Sequence, residues 1–398
     1  MKILVHDYSG HPFQVELSRE LAARGHDVVH SYCDAYASGK GHLVAEAGET
    51  LRFAPIAVGQ SVAKMRFRRR LGQELRFGLE LAGQVRRERP DVVLCSNVPI
   101  PMLVVLAAVL LVLRRPWVLW HQDVQAVAIR SFAGEKLSRA FVLAAKVIGL
   151  GERWSSRRAA AIVVITEAFL GVHREWGTAD KAAVIPNWAP LDEIVPVGRK
   201  NDWAVEHGLD DVRTILYSGT LGLKHEPALL PRLARAVIDA GAPVRLVVVN
   251  DGPAVPVVEE EAARLDVPLT RLPFQPYERL SEVLGSGDVL VVLLEQSAGE
   301  FSVPSKTLSY LCAGRPVLGL MPAENLASGL VEEAGGRVLR PEEPSLPAAA
   351  DWVRDVLADP ADAERIGKAS RALAEREFQL AGCADRFEEI LYAAARSH

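Results

Sequence analysis

Short apolar runs recur along the chain: Ile3–Val5, Val28-Val29, Val92–Cys95, Trp117–Trp120 and Ala159–Ile165, then Thr214–Tyr217, Val244–Val249, Val289–Leu294 and Val317–Leu320. They are too short for helices and do not alternate with polar residues, as strands buried on both faces of a parallel sheet do not. Between them lie polar turns and helical patterns, such as Phe13, Leu17 and Leu21 spaced every four residues after the turn Asp7-Tyr8-Ser9-Gly10-His11-Pro12. The order is βαβ, and the fold class is α/β with parallel sheets. Ligands of such sheets bind at the carboxyl ends of the strands, so the turns there are the first place to look for chemistry. The turn after the first run has no GxGxxG, which argues against a nicotinamide dehydrogenase.

One stretch, Glu300 to Gly319, places a helix start, a cation and a following strand within twenty residues. Pro304 suits the first helical position, Val303, Leu308, Leu311 and Cys312 recur at helical spacing, and Gly314 offers a left-handed cap before Arg315-Pro316. The first turn presents the backbone N–H groups of Ser305 and Lys306 beside the hydroxyls of Ser302 and Ser305 and the lysine itself. Together they suit a phosphate or diphosphate. An ordinary buried helix carrying a solvated lysine is the other reading of the same residues.

At 398 residues the chain has room for two domains. Hydrophobic residues make up 49% and charged residues 24%, so a large core is available. The net charge of -4 conceals a split. Residues 1–190 carry 25 Lys and Arg against 17 Asp and Glu, net +8, and the remainder 21 against 33, net -12. An anionic partner or surface is therefore expected near the first half. The four cysteines are scattered and form no CxxC pair, so neither a zinc site nor a disulfide framework is indicated. No signal peptide is visible at Met1–His6, and a reducing cytoplasm is the expected location, with peripheral contact at the inner face of the plasma membrane. That contact would use Lys64 to Leu79, where six basic residues interleave with Phe67, Leu71, Leu75 and Leu79 on one helical face. A solvated face over a core stripe explains the same pattern. Met102 to Leu113 is twelve apolar residues, too short to span a bilayer, and reads as a buried crossover helix.

Pro-Ser-Lys-x-x-x-Tyr-Leu-x-Ala-Gly-x-Pro-Val, from Pro304 to Val317, resembles the donor-nucleotide motif of glycosyltransferase family 4. The likeness is strongest to the bacterial surface-polysaccharide branch that resembles aminosugar transferases. It implies a GT-B architecture: two Rossmann-like domains with parallel sheets facing across a cleft, and a last helix crossing back to the first domain. The boundaries expected are 1–188 for an acceptor-binding domain, 189–378 for a nucleotide-sugar domain and 379–398 for the returning helix, with a hinge at Pro186-Asn187. The implied reaction is retaining transfer of a sugar, hexosyl or N-acetylhexosaminyl, from a nucleotide diphosphate donor, most simply UDP-linked. The acceptor would be a hydroxyl of a lipid-linked or small-molecule glycan. No cofactor, metal or nucleic acid is implied, and no Asp-x-Asp motif is present.

The resemblance also assigns residues. Gly10 and His11 in the first turn, His121 and Asp123 after the Trp117 strand, and Thr166 face the reacting sugar or line the cleft. Tyr-Ser-Gly-x-Leu-Gly-x-Lys, Tyr217 to Lys224, supplies Lys224 to the diphosphate. Thr220 stands where many relatives have arginine, leaving Lys306 and backbone donors around Gly219 and Gly222 to compensate. Asn250, Asp251 and Gly252 form the turn against which the donor packs, and Phe274 and Gln275 contact the base. Ser302, Pro304, Ser305 and Lys306 hold the phosphates. Of the family's pair of glutamates, Ser309 and Phe301 occupy the expected positions; Glu300, one residue away, is the candidate acid facing the sugar, and ribose binding is left unassigned. Two other functions fit this architecture: a nucleotide-sugar 2-epimerase, and a catalytically silent partner subunit.

Overall fold

The computed structural model describes residues 1–34, 43–45, 48–57, 67–125, 139–221, 225–296 and 305–396, with backbone alone for 67–71, 139–145 and 305. The chain divides into two compact units, Met1–Asn187 with Leu380–His398, and Trp188–Gln379.

The first unit runs β1 (Lys2–Asp7), α1 (Pro12–Ala23), β2 (Asp27–Cys33), β3 (Arg52–Ile56), α2 (Phe67–Glu88), β4 (Val92–Ser96), α3 (Ile100–Val112), β5 (Trp117–His121), α4 (Arg139–Arg158), β6 (Ala161–Val164), α5 (Glu167–Trp176) and β7 (Ala182–Val184). Its seven strands are all parallel in the order β3-β2-β1-β4-β5-β6-β7. The strand order reverses between β1 and β4, which is the switch point where doubly wound sheets bind ligands. The apolar runs fill the sheet: Ile3, Leu4 and Val5 of β1 and Val92, Val93 and Leu94 of β4 are fully buried. The closing helix of the chain, Leu380–Arg396, packs on this unit as expected. Phe387 lies 4.6 Å, centroid to centroid, from Trp120, and Glu388 accepts from His26 Nε2 at 2.8 Å.

Two helices depart from their sequence reading. In α2 the buried face is Phe77, Leu81 and Val85, while Leu75 and Leu79 of the expected stripe are 39% and 62% exposed. In α3 Met102, Leu103, Leu106, Ala107 and Leu110 are buried, but Leu111 and Val112 face solvent. Both helices carry two apolar stripes, and only one of each reaches the sheet.

The second unit runs α6 (Asp202–Glu206), β8 (Thr214–Ser218), α7 (Leu229–Asp239), β9 (Arg245–Val249), α8 (Val255–Arg264), β10 (Leu269–Leu272), α9 (Leu280–Gly285), β11 (Val289–Leu293), α10 (Ser305–Cys312), β12 (Val317–Leu320), α11 (Leu326–Glu333), β13 (Arg337–Leu339), α12 (Leu346–Ala358) and α13 (Pro360–Glu377). Six parallel strands order as β10-β9-β8-β11-β12-β13, again reversing beside the first strand of the unit. Two apolar clusters cover the sheet, one around Trp203, Leu290, Tyr310 and Leu311 and one around Tyr217, Leu233, Val248 and Val291. All four cysteines are buried and none forms a disulfide. No helix among the described residues is long and apolar enough to cross a membrane.

Candidate active site

Each unit has a pocket at the carboxyl ends of its strands. In the first unit a cavity of ≈ 330 Å3 sits at the ends of β1, β4 and β5, lined by His11, Asn97, His121, Gln122, Asp123 and Glu152 among others. The turn after β1 is organised by Asp7, whose buried carboxylate accepts from the backbone N–H of Ser9 and His11, from Ser9 Oγ at 3.1 Å and from Asn97 Nδ2 at 3.1 Å. Burial raises the Asp7 pKa and those hydrogen bonds oppose the rise. Gly10 is buried with φ 70°, a left-handed conformation that favours glycine, and it does not line the cavity. His11 does line it. Burial lowers its pKa, while the nearby charges of Asp7 and Asp123 raise it.

His121, at the end of β5, is held at both ring nitrogens: Nε2 lies 3.0 Å from Glu152 Oε1, and Nδ1 lies 3.2 Å from His173 Nε2. His173 Nδ1 in turn lies 2.9 Å from Thr178 Oγ1. With Glu152 ionised, one tautomer set satisfies the whole chain, each proton pointing toward the carboxylate. Burial pushes the His173 pKa down to about 3, so His173 is neutral at physiological pH. His121 reaches a ligand only by giving up one of these partners. Glu152 Oε1 also accepts from the Gln125 backbone at 2.9 Å, which ties the turn after β5 to α4. Asp123 is exposed at the pocket. Gln122 and Asn187 exchange amide hydrogen bonds at 2.8 and 3.0 Å, and Thr166 caps α5 through Ala168 N.

In the second unit a cavity of ≈ 400 Å3 lies at the ends of β8 and β9 and against α10. Ser218, Gly219, Thr220, Phe274, Gln275, Tyr277, Lys306, Ser309 and Tyr310 are among its lining residues. Lys306, in the first turn of α10, hydrogen-bonds the Tyr217 hydroxyl and lies 3.3 Å from Thr220 O, with its Nζ 4.1 Å from the Tyr217 ring centroid. No carboxylate among the described residues pairs with it, and burial pushes its pKa down to about 7. Gly219, at φ 130°, lets the β8 turn pass this lysine; a Cβ there would stand 3.4 Å from Lys306 Cε. Tyr310 Oη accepts from Ser218 N at 2.9 Å and donates to Ser218 O at 3.0 Å, fixing the end of β8 to α10.

Asn250, Asp251 and Gly252 stand behind this pocket. Buried Asn250 donates to Gly219 O and accepts from Gly252 N. A Cβ on Gly252 would fall 2.9 Å from Leu221 O, so the two turns meet backbone to backbone. Asp251 accepts from Phe274 N at 2.8 Å and from Arg271 at 2.9 Å, which sets the loop that carries Phe274 and Gln275. Gln275 Oε1 is fixed by Trp203 Nε1 at 3.0 Å. Phe274 and Tyr277, both lining the pocket, are 49% and 54% exposed.

Lys224, Glu300, Ser302 and Pro304 lie outside the described residues, as do Gly222 and Phe301, and of Ser305 only the backbone is described. Sequence reasoning assigned no role to Glu152, His173, Trp203, Tyr217 or Tyr310. Tyr217 and Tyr310 carried a signal, since Tyr217 opens the Tyr-Ser-Gly turn and Tyr310 is the tyrosine of the Pro-Ser-Lys-x-x-x-Tyr motif.

The two parallel sheets, with likeness to solved GT-B structures over 99–100% of the chain, show the GT-B fold. Residues 11–188 match the model of the glycosyl transferase 4-like domain. Among solved structures, the Anabaena protein HepE in complex with UDP and glucose is similar with a TM-score of 0.70 and 17% identity over 99% of this chain and 100% of that one. Sucrose-phosphate synthase from Thermosynechococcus elongatus aligns at 0.71 and 16% over the whole of both chains. A putative UDP-N-acetylglucosamine 2-epimerase from Listeria monocytogenes aligns at 0.61 and 12% over 100% and 97%. No curated protein sequence matches the chain.

Proposed function

We propose that this chain is a retaining glycosyltransferase that moves a sugar from a UDP-sugar to a hydroxyl of a lipid-linked or small-molecule glycan. The observation that carries the reading is Lys306, a half-buried cation with no acidic partner among the described residues, beside the exposed rings of Phe274 and Tyr277. Such a lysine needs an anion, and such rings suit a base. HepE, similar in fold, is described in complex with UDP. In this reading the diphosphate displaces Tyr217 from Lys306, and Phe274 and Gln275 hold the base. Lys306, Lys224 and the first N–H groups of α10 stabilise charge that develops on the departing diphosphate. Gly219, Thr220 and the Asn250-Asp251-Gly252 turn shape the phosphate subsite.

The first unit takes the acceptor and the reacting sugar. His11 and Asp123 face them, while Glu152 and His173 hold His121 and the turn that bears Asp123. Glu300 supplies the acid facing the sugar. The chain works at the inner face of the plasma membrane, docked through the basic stretch Lys64 to Leu79, of which Lys64–Arg66 lie outside the described residues; exposed Leu75 and Leu79 support that contact. Vesicles with and without anionic lipid, sedimented with wild type and with Leu75→Ser/Leu79→Ser, test it. Equal binding to both lipids would defeat it.

The test of the activity is incubation with UDP-sugars and acceptor extracts, with Lys224→Ala alongside. Lys224→Ala should lose turnover far more than donor affinity; unchanged turnover would remove Lys224 from the mechanism. The fold likeness to the putative 2-epimerase favours a second reading, and an epimer formed from the donor without acceptor would establish it.

A further inference from the structure

A larger cavity of the second unit, ≈ 600 Å3, opens at the other edge of the sheet, where β8, β11 and β12 begin. Five basic side chains line it, and four of them have carboxylate partners. Asp288 takes Arg199 Nε at 2.8 Å and Arg213 Nη1 at 3.0 Å, Glu375 takes Arg371 Nε at 2.6 Å, and Glu364 takes Lys368 Nζ at 2.6 Å. Arg315 is the exception. It is half-buried and makes a single hydrogen bond, from Nη2 to Val197 O at 2.8 Å.

A guanidinium has five N–H donors in a planar fork, and a half-buried one that uses so few of them lacks a hydrogen-bonded anion. Asp288 does not fill the role, because it also accepts from Thr214 N at 2.8 Å and its oxygens are committed. Burial lowers the Arg315 pKa and the Asp288 charge opposes that, although no hydrogen bond joins the two side chains. Val356, Leu357 and Ala363 supply apolar wall, and the volume falls in the range of small-ligand pockets. The lysine of the donor pocket sits at the first turn of α10 and Arg315 three residues past its last turn. Six residues of helix, about 9 Å, and the Ala313-Gly314 turn separate the two cations.

We propose that this cavity binds a small phosphorylated metabolite of sugar-phosphate size, with Arg315 as the bidentate anchor of its phosphate. The site is independent of the donor pocket and does not rest on the transfer activity.

Isothermal titration of the full chain with glucose 6-phosphate and with inorganic phosphate tests it. One site per chain is expected for the sugar phosphate. Arg315→Gln should weaken it about tenfold or more. Ala372→Glu, an exposed lining position that adds a competing carboxylate and leaves the core untouched, should do the same. Lys306→Ala should bind as wild type does. The proposal is overturned if neither probe binds the wild type at millimolar concentration, if both pocket variants keep wild-type affinity, or if binding is lost in Lys306→Ala and kept in the pocket variants.

Discussion

The low pKa of Lys306 makes a specific demand on donor binding. In the free protein burial holds this lysine near pH 7, against 10.5 for an ordinary lysine. Two phosphate charges beside it would restore the ordinary value, because only the protonated form pairs with them. Each pH unit above 7 therefore removes about nine-tenths of the binding-competent form, and UDP affinity should fall about tenfold from pH 7.5 to 8.5. The diphosphate is fully ionised across this window, since second phosphate ionisations lie near 6, so it adds no slope of its own. Calorimetry in two buffers of different ionisation enthalpy reads both quantities: the Kd at each pH and the proton taken up on binding. Uptake should approach one proton at pH 8.5. Lys306→Arg, which stays charged, should bind with no slope and no uptake. A flat Kd and zero uptake in the wild type would show that Lys306 is already protonated or that UDP does not meet it.

The same lysine is a cost to folding, since the unfolded chain binds a proton between pH 7 and 10.5 that the folded chain does not. Lys306→Met should thus stabilise the second unit by about 1 kcal/mol or more at pH 7, an advantage that shrinks as pH rises to 10.5, read by urea titration. Burial holds His6, His30 and His173 each near pKa 3 in the fold. Their stabilising contribution is present above pH 6.5 and is lost as pH falls toward 3, so stability near pH 5 should drop by about 4 kcal/mol per pH unit from three protons. Circular dichroism from pH 7 to 4 checks this, and a flat profile to pH 4 would refute the buried neutral state. Gly252→Ala drives a Cβ to within 2.9 Å of Leu221 O and should abolish UDP binding while the first unit keeps its melting transition. Trp203→Phe frees Gln275 and should weaken UDP binding several-fold with turnover at saturation preserved.

Much of the fold was legible because its strands are unbroken apolar runs. Ile3–Val5 falls inside β1 and Val289–Leu294 overlaps β11, as a strand buried on both faces requires. The closing helix was expected from the family resemblance alone; its residues Cys383, Phe387 and Leu391 repeat every four positions and all are buried. What periodicity could not decide was which of two apolar stripes packs. In α2 Leu75 and Leu79 compete with Phe77, Leu81 and Val85, and only the contact with the sheet selects the second set. The turns that hold Gly219, Phe274 and Lys306 could be placed from local signals. Their partners could not, because the contacts are long-range: His121 meets Glu152 and His173 across 31 and 52 residues, and Lys306 meets Tyr217 across 89. No local pattern announces that a histidine already has both nitrogens engaged.

A crystal structure of the chain with UDP is the most direct test of a donor site built on Lys306. The account predicts the nucleotide in the second unit, with the base against Phe274, Lys306 Nζ withdrawn from the Tyr217 hydroxyl and a diphosphate oxygen within about 3 Å of it. UDP bound elsewhere, with Lys306 still seated on Tyr217, would contradict it.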